Sequence, residues 1–302
     1  MKELKIGTLC SGIGSPEEAI KQSNIKHKII FASDIDKNAK ITYMKNHDCD
    51  VFYDDIYDIP NKLPRTDVMI VGFPCQPFSL ASSLNKGLED ERGKLIYEIC
   101  RIIKSSSPKY LIAENVEGLI TKNKKDFQVI LDLFDRCGYN INWRILNSLD
   151  FGVPQHRRRI YIVGIKKTYK KKFDFRKLSL STPSKLSSIL DKKVDNRFFA
   201  TKEFLKKDKV KKRISNYKKE YAPCITKTIA RNGSSSEYIG QVAAVNKAIG
   251  QLRKPTPREC ARLHGFSESF IIPDEISITK QYEQFANTMT IPIIKEIIKN
   301  LN

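Results

Sequence analysis

The sequence predicts an α/β fold, with a doubly wound, mostly parallel sheet in its first half and a second, smaller domain after it. Three observations predict this. Short apolar runs that read as buried strands alternate with helical stretches as far as residue 165. Glycines or acidic residues stand at the carboxyl ends of several of those runs. The alternation then stops after Ile165, where Ser, Lys and isolated aromatics take over.

Leu4 to Cys10 is the first strand-like run. Ser11-Gly12-Ile13-Gly14-Ser15-Pro16 follows, with glycines for a tight turn, Ser15 as the expected N-cap and Pro16 at the first helical position. A strand, a glycine loop and a helix commonly open a nucleotide-cofactor site. No Gly-Lys-Ser/Thr follows, which argues against a Walker-type triphosphate loop. A dinucleotide site stays open, but Glu17 occupies the third glycine position of its fingerprint, and a cofactor with an amine and no phosphate suits the turn better. The second run, Lys28 to Ser33, ends in Asp34-Ile35-Asp36. Asp54-Asp55-Ile56 lies a strand's length further on. Acidic strand ends of this kind accept hydrogen bonds from ribose hydroxyls and from an adenine amine.

Val68 to Phe73 reads as a buried strand that Pro74 stops, which leaves Cys75 at its carboxyl end, beside Gln76. Open α/β sheets place their chemistry there, so Cys75 is a candidate nucleophile. Gly93 to Lys104 and Lys125 to Arg136 have helical spacing. Between them, Tyr110 to Ala113 ends in Glu114-Asn115-Val116, a carboxylate at another strand tip. Ile160 to Ile165 is preceded by Gln155-His156-Arg157-Arg158-Arg159, which sets guanidinium groups at a strand's start. A thiol, a carboxylate and an arginine are what attack on an electron-poor, uncharged ring requires.

After Ile165, short β-like pieces are expected at Ala222 to Ile229 and Tyr238 to Val245, with a loop at Arg231 to Ser236. Residues 277 to 302 contain Ile291 to Ile298 at helical spacing. The chain is expected to divide into residues 1–165, 166–275 and 276–302. Its formal charge is +20, and residues 166 to 220 hold 20 Lys or Arg against 6 Asp or Glu. Clusters such as Lys170-Lys171-Lys172 and Lys211-Lys212-Arg213 suit a polyanion. No unbroken apolar run of about 20 residues is present, so no membrane span is expected. A cytoplasmic address follows from the lack of a signal-peptide pattern. Seven irregularly spaced cysteines without a Cys-x-x-Cys pair, and four scattered histidines, predict neither a disulfide framework nor a metal site.

The ordered set resembles the DNA (cytosine-5) methyltransferases, which use S-adenosylmethionine. It comprises the glycine loop Cys10 to Ser15, Pro74-Cys75-Gln76, Glu114-Asn115-Val116, Gln155 to Arg159, Arg258-Glu259 with Gly265-Phe266, and Asn287. These motifs span nearly the whole chain in the family's order. The resemblance implies the family's methyltransferase fold, with 166–275 as a target-recognition domain and 276–302 returning to the catalytic domain. It implies that Cys75 adds to C6 of a cytosine and that Glu114 hydrogen-bonds N3 and the exocyclic amine. Arg159 meets O2, Arg157 supports the loop near the nucleophile, and the Phe73 carbonyl reads the amine. Cys10, Gly12, Gly14, Asp34, Ile35, Asp55, Ile56, Pro74 and Asn287 are the implied cofactor residues.

By the same resemblance, the segment Phe78 to Gly87 is a loop that closes over DNA, and the target base is flipped out of the duplex. The implied partner is double-stranded DNA, bound by a monomer in a prokaryotic or phage-like context, with or without a restriction endonuclease in the same cell. Arg231 is a candidate reader of guanine. Departures from the family pattern fall at Cys10, usually an aromatic residue, and at Ile35, often a tryptophan. Ala286-Asn287-Thr288-Met289 also replaces Gly-Asn-Ser-Val, and Ala286 would cost stability if that turn needs positive φ. Two alternatives stand beside this reading. One is the family's RNA-modifying branch, whose signature Cys224-Ile225-Thr226 resembles loosely, and the other is a catalytically silent nucleic-acid binder.

Overall fold

The computed structural model describes residues 3–73, 91–199, 221–230 and 253–301. The chain forms two compact units. The first joins Met1–Leu146, Arg158–Ser179 and Ile293–Asn302; the second joins Asn147–Arg157 and Leu180–Pro292. The two units are thus interleaved in sequence.

The first unit is a doubly wound sheet. Its strands are β1 (Leu4–Leu9), β2 (His27–Ser33), β3 (Val51–Tyr53), β4 (Val68–Val71), β5 (Tyr110–Val116), β6 (Tyr139–Asn147) and β8 (Arg158–Lys166), in the order β3-β2-β1-β4-β5-β8-β6. Strands β1 to β5 are parallel, and β8 runs antiparallel to β5. The central strands β4 and β5 are buried on both faces, which is why they read as continuous apolar runs. Helices α1 (Ser15–Gln22), α2 (Lys37–Asn46), α3 (Glu91–Ser106), α4 (Gly118–Thr121) and α5 (Lys124–Arg136) connect them. Ile96, Ile99 and Ile103 of α3, with Phe127, Ile130 and Phe134 of α5, join Met69, Val71, Leu111 and Ala113 in one core cluster. β1 has β2 on one side and β4 on the other, so the strand order reverses there. Ligands of open α/β sheets bind beyond the carboxyl ends at such a reversal.

Two local expectations change. Helix α1 begins one residue early: its N-cap is Gly14, at φ 85°, with Ser15 and Pro16 as the first two helical residues. Only glycine takes that left-handed conformation without strain, and a Cβ there would fall 2.2 Å from the His47 ring. The β-like run at Ala222 to Ile229 is a strand only over β9 (Ala222–Pro223), followed by a 3-10 turn at Lys227–Ala230. The Tyr238 to Val245 piece and the Arg231 to Ser236 loop lie outside the described residues.

In the second unit, β7 (Gln155–His156) pairs in parallel with β9. Helix α6 (Pro257–His264) starts at a capping box, with Thr256 and Glu259 satisfying each other's backbone N–H groups, and ends at Gly265, φ 85°. Arg253 donates to both Glu259 oxygens at 2.6 Å, wholly buried. Helix α7 (Ile278–Ala286) brings Phe285 against Phe266, which also packs on Phe270. Ala286 is the last residue of this helix and Asn287 follows at φ −92°, so no positive φ is required there. The last helix is α8 (Ile291–Lys299).

Candidate active site

The carboxyl ends of five parallel strands carry the candidate residues. After β1, the turn has Cys10 at φ 51° and Gly12 at φ 57°, and among the described residues, its chain neighbours aside, no atom lies within 4 Å of where a Gly12 Cβ would point. The Gly12 N–H donates to Asp34 Oδ2 at 2.7 Å, which fastens the turn to the end of β2. Asp34 Oδ1 accepts the Asp36 N–H, and Asp36 caps α2 by accepting from Asn38 and Ala39. Between these two carboxylates Ile35 is 76% exposed, an apolar surface held among acceptors. Beyond β3, Asp55 caps a 3-10 turn whose first residue, Ile56, is buried, while Asp54 pairs with Lys40 at 2.6 Å. Burial and then the Asp34 and Asp55 carboxylates raise the Cys10 thiol well above its ordinary range, so it is neutral beside them.

At β4 the described chain reaches Phe73; Pro74, Cys75, Gln76 and the Phe78 to Gly87 segment lie outside the described residues. Asn115, buried on β5, donates through Nδ2 to the Phe73 carbonyl at 3.3 Å. That contact ties the end of β5 to the start of the Pro74-Cys75 segment. A carbonyl has a second lone pair, so Phe73 keeps acceptor capacity.

Glu114 and Arg159 meet because β8 is antiparallel. In the β5–β8 register, Glu114 faces Tyr161 and Val116 faces Arg159, so Glu114 and Arg159 are diagonal neighbours on one face. Arg159 Nε stands 3.4 Å from Glu114 Oε1, and both side chains are largely buried, at 14% and 12% exposure. Arg158 points the other way and holds Glu117 through two bonds, of 3.0 and 2.8 Å.

Arg157 belongs to the second unit and is buried. It donates to the carbonyls of Ile225 at 3.3 Å, Ala286 at 3.1 Å and Thr288 at 2.7 Å. The two residues flanking Asn287 are therefore held by one guanidinium. Gln155 completes this clamp, accepting from Ile225 N–H at 2.9 Å and donating to the Leu263 carbonyl at 2.8 Å. Sequence reasoning missed both roles, along with that of Asn115. The signal was present in residue type alone, since a polar side chain buried in such a motif must find backbone partners. Arg258 likewise braces the chain after α6, donating to the carbonyls of Ser267 and Phe270. Among the described residues, no cluster of His, Cys, Asp and Glu has metal-binding geometry, and no helix is long and apolar enough to cross a membrane.

The model of the C-5 cytosine-specific DNA methylase family matches residues 4–302. The Type II methyltransferase M.Bsp6I of Bacillus sp. (strain RFL6) is 33% identical over 321 residues, covering 99% of this chain and 98% of that protein. M.NlaX of Neisseria lactamica, also a Type II methyltransferase, is 33% identical over 309 residues, covering 98% and 96%. Among solved structures, the Entamoeba histolytica methyltransferase EhMeth superposes with a TM-score of 0.76 at 21% identity, covering 100% of this chain and 98% of that one. A putative DNA modification methyltransferase encoded within an E. coli prophage gives 0.72 at 19% identity, covering 99% and 98%. At these identities the superpositions speak to the fold, a mostly parallel methyltransferase sheet, while the sequence matches speak to descent. With its fold, its ordered motifs and a match over nearly its whole length in agreement, the chain belongs to the C-5 cytosine-specific DNA methylase family and is a DNA (cytosine-5) methyltransferase.

Proposed function

We propose that this protein methylates C5 of a cytosine flipped out of a specific double-stranded DNA sequence, through a covalent bond between Cys75 and C6. The observation that carries the reading is the Glu114–Arg159 pair at the carboxyl edge of β5, next to the strand from which the chain runs on to Cys75. Addition of the Cys75 thiolate to C6 forms a C–S bond and moves an electron pair toward C5 and N3. Glu114 hydrogen-bonds N3 and the exocyclic amine and so favours protonation of the ring at N3 as the charge arrives; that proton leaves again when the thiolate does. Arg159 holds the Glu114 carboxylate and meets O2. With the methyl group on C5, loss of the C5 proton and release of the thiolate restore the aromatic ring. The flip costs a few kcal/mol of unstacking, because a stacked cytosine cannot present C6 to a thiol.

S-adenosylmethionine supplies an electrophilic methyl group when bound, and the residues around the β1 turn fit it. An exposed apolar Ile35 offers a face for adenine, the carboxylates of Asp34 and Asp55 suit hydroxyls and an amine, and the space beyond Gly12 admits a close ligand. Asn287, whose two neighbours give their carbonyls to Arg157, is a further cofactor residue assigned by the family's motif order. The second unit would carry target recognition. A restriction endonuclease partner in the cell, in keeping with the Type II names of the relatives, belongs to this proposal, as does a single copy of this chain acting on the duplex.

Bisulfite sequencing of plasmid DNA from cells expressing the protein, beside cells expressing Cys75→Ser, tests the reading. Protected cytosines in one recurrent context, absent with the variant, are expected. Complete conversion despite folded, cofactor-binding protein would overturn it.

A further inference from the structure

A buried carboxyl sits directly behind the turn to which the cofactor is assigned. Glu17, in the first turn of α1, is 2% exposed. Its Oε1 accepts the Thr8 hydroxyl from β1 at 2.6 Å and the Tyr43 hydroxyl from α2 at 3.0 Å. Thr8 Oγ1 lies 2.8 Å from Ser11 Oγ. Thr8 has one hydroxyl proton and gives it to Glu17, so the Ser11 hydroxyl donates to Thr8, and Ser11 Oγ accepts from the Ser33 N–H at 3.3 Å. Donation therefore runs in one direction, from the end of β2 through the turn to a single carboxyl oxygen. Ser11 N–H also binds the Ser33 carbonyl at 2.8 Å, and its neighbour Gly12 holds Asp34. The other oxygen, Oε2, is buried without a hydrogen-bond partner.

That unmatched oxygen makes the protonation state matter. Ionised, Glu17 buries anionic charge on an oxygen with no donor; neutral, it buries one O–H with no acceptor, a smaller penalty. Among the described residues no cation acts on it; Lys21, one helical turn on, acts on His47 instead. Tyr43 and His47 come from the end of α2, Cys49 from the chain after it, and Glu18 stands beside it on α1. His47 is kept neutral by burial, which lowers it to about 4 against the opposing pull of Glu18. Cys49 is pushed up to about 11 by burial and by Glu17, and the Tyr43 hydroxyl is raised by burial and by Glu17. Burial lifts Glu17 itself from an ordinary 4.5 to about 7, although the Thr8 hydroxyl, its own backbone N–H and the Tyr43 hydroxyl oppose the shift.

We propose that Glu17 is a positioning residue for the cofactor turn, competent as the neutral acid, so that cofactor affinity weakens as Glu17 loses its proton. The proposal rests on the reading of Cys10 to Asp36 as the cofactor site. An ionised Glu17 relieves its unmatched oxygen by shifting the first turn of α1. The shift pulls on Thr8 and Ser11 and loosens Gly12 from Asp34.

The test is calorimetric titration of the full chain with S-adenosylhomocysteine, without DNA, from about pH 6 to about pH 9, for wild type, Glu17→Gln and Thr8→Val. Glutamine keeps the Oε1 acceptor and cannot ionise. The wild-type Kd is expected to rise above neutrality by up to about tenfold per pH unit beyond any slope in Glu17→Gln, because the ligand's own amine titrates alike for both. Near pH 6 the two proteins should agree within about threefold, since glutamine is isosteric with the neutral acid. Equal slopes in the two would overturn the proposal. Thr8→Val, which cuts the link to Ser11, is expected to bind at least about tenfold more weakly at pH 6 while still folded, the scale of one lost buried hydrogen bond. Unchanged affinity in that variant would also overturn the proposal, even if Glu17→Gln failed to fold. If wild type binds at no pH, it is the cofactor-site reading that fails.

Discussion

Three adjacent arginines have three different fates, and each follows from where the backbone sends its side chain. Successive residues of a strand face opposite sides, so Arg158 goes to Glu117 at the surface and Arg159 to Glu114. Arg157 turns into the second unit and is spent on three carbonyls. For Glu114, replacement by glutamine keeps the shape and removes the charge that Arg159 holds. Glu114→Gln is expected to lower kcat by about 10²–10⁴-fold with cofactor affinity within about threefold. Single-turnover methylation would measure it, and a kcat within tenfold of wild type would remove Glu114 from the chemistry.

Glu17 also sets a stability trend at this scale. Its folded pKa lies above its unfolded one, so the unfolded chain releases the proton first and stability falls as pH rises from 4.5 to about 7. His47 has the opposite sense: burial lowers it from 6.5 to about 4, and stability falls as pH drops through that window. Glu17→Gln should therefore stabilise the fold at pH 8 by up to about 3 kcal/mol and leave it nearly unchanged near pH 4, read by urea denaturation.

Elements are held here by their ends. Gly265 closes α6 at φ 85°, and a Cβ added there would stand 2.5 Å from Pro292 Cδ, so both the backbone and the neighbour resist a side chain. Gly265→Ala is expected to cost about 2–4 kcal/mol from strain and overpacking, and Thr256→Ala about 1 kcal/mol from the lost capping box. Thermal denaturation of the two variants, analysed for the second unit, should rank them in that order. Element ends also decided what was legible. β4 and β5 are visible in the sequence because burial on both faces demands unbroken apolar runs. β6 was missed although Tyr139, Ile141, Trp143 and Ile145 alternate with Asn140, Asn142 and Arg144, the period-2 signal of a strand; it has no continuous apolar run because its middle is exposed. The expected strand at Ala222 to Ile229 stops at Pro223, and the Ile225 N–H goes to the Gln155 side chain instead of to a ladder.

At the scale of the whole molecule, a formal charge of +20 makes association with DNA sensitive to salt. Between 50 and 200 mM salt the affinity for duplex DNA is expected to fall about 10³-fold or more, because each neutralised phosphate releases counterions. Fluorescence anisotropy would follow it, and a loss below tenfold would show that the basic surplus does not face the polyanion. The sequence by itself determined the fold class, the strands buried in the middle of the sheet, the turn glycines and the ordered residue types that mark the family. All of these rest on local periodicity or on the chemistry of neighbouring residues, which a linear chain displays. Only the tertiary structure decided that β8 runs antiparallel and so delivers Arg159 to Glu114, that Arg157 clamps the residues around Asn287, and that Glu17 lies behind the turn as a buried acid. Those facts depend on strand order, strand direction and burial, which are set by packing between segments far apart in the chain.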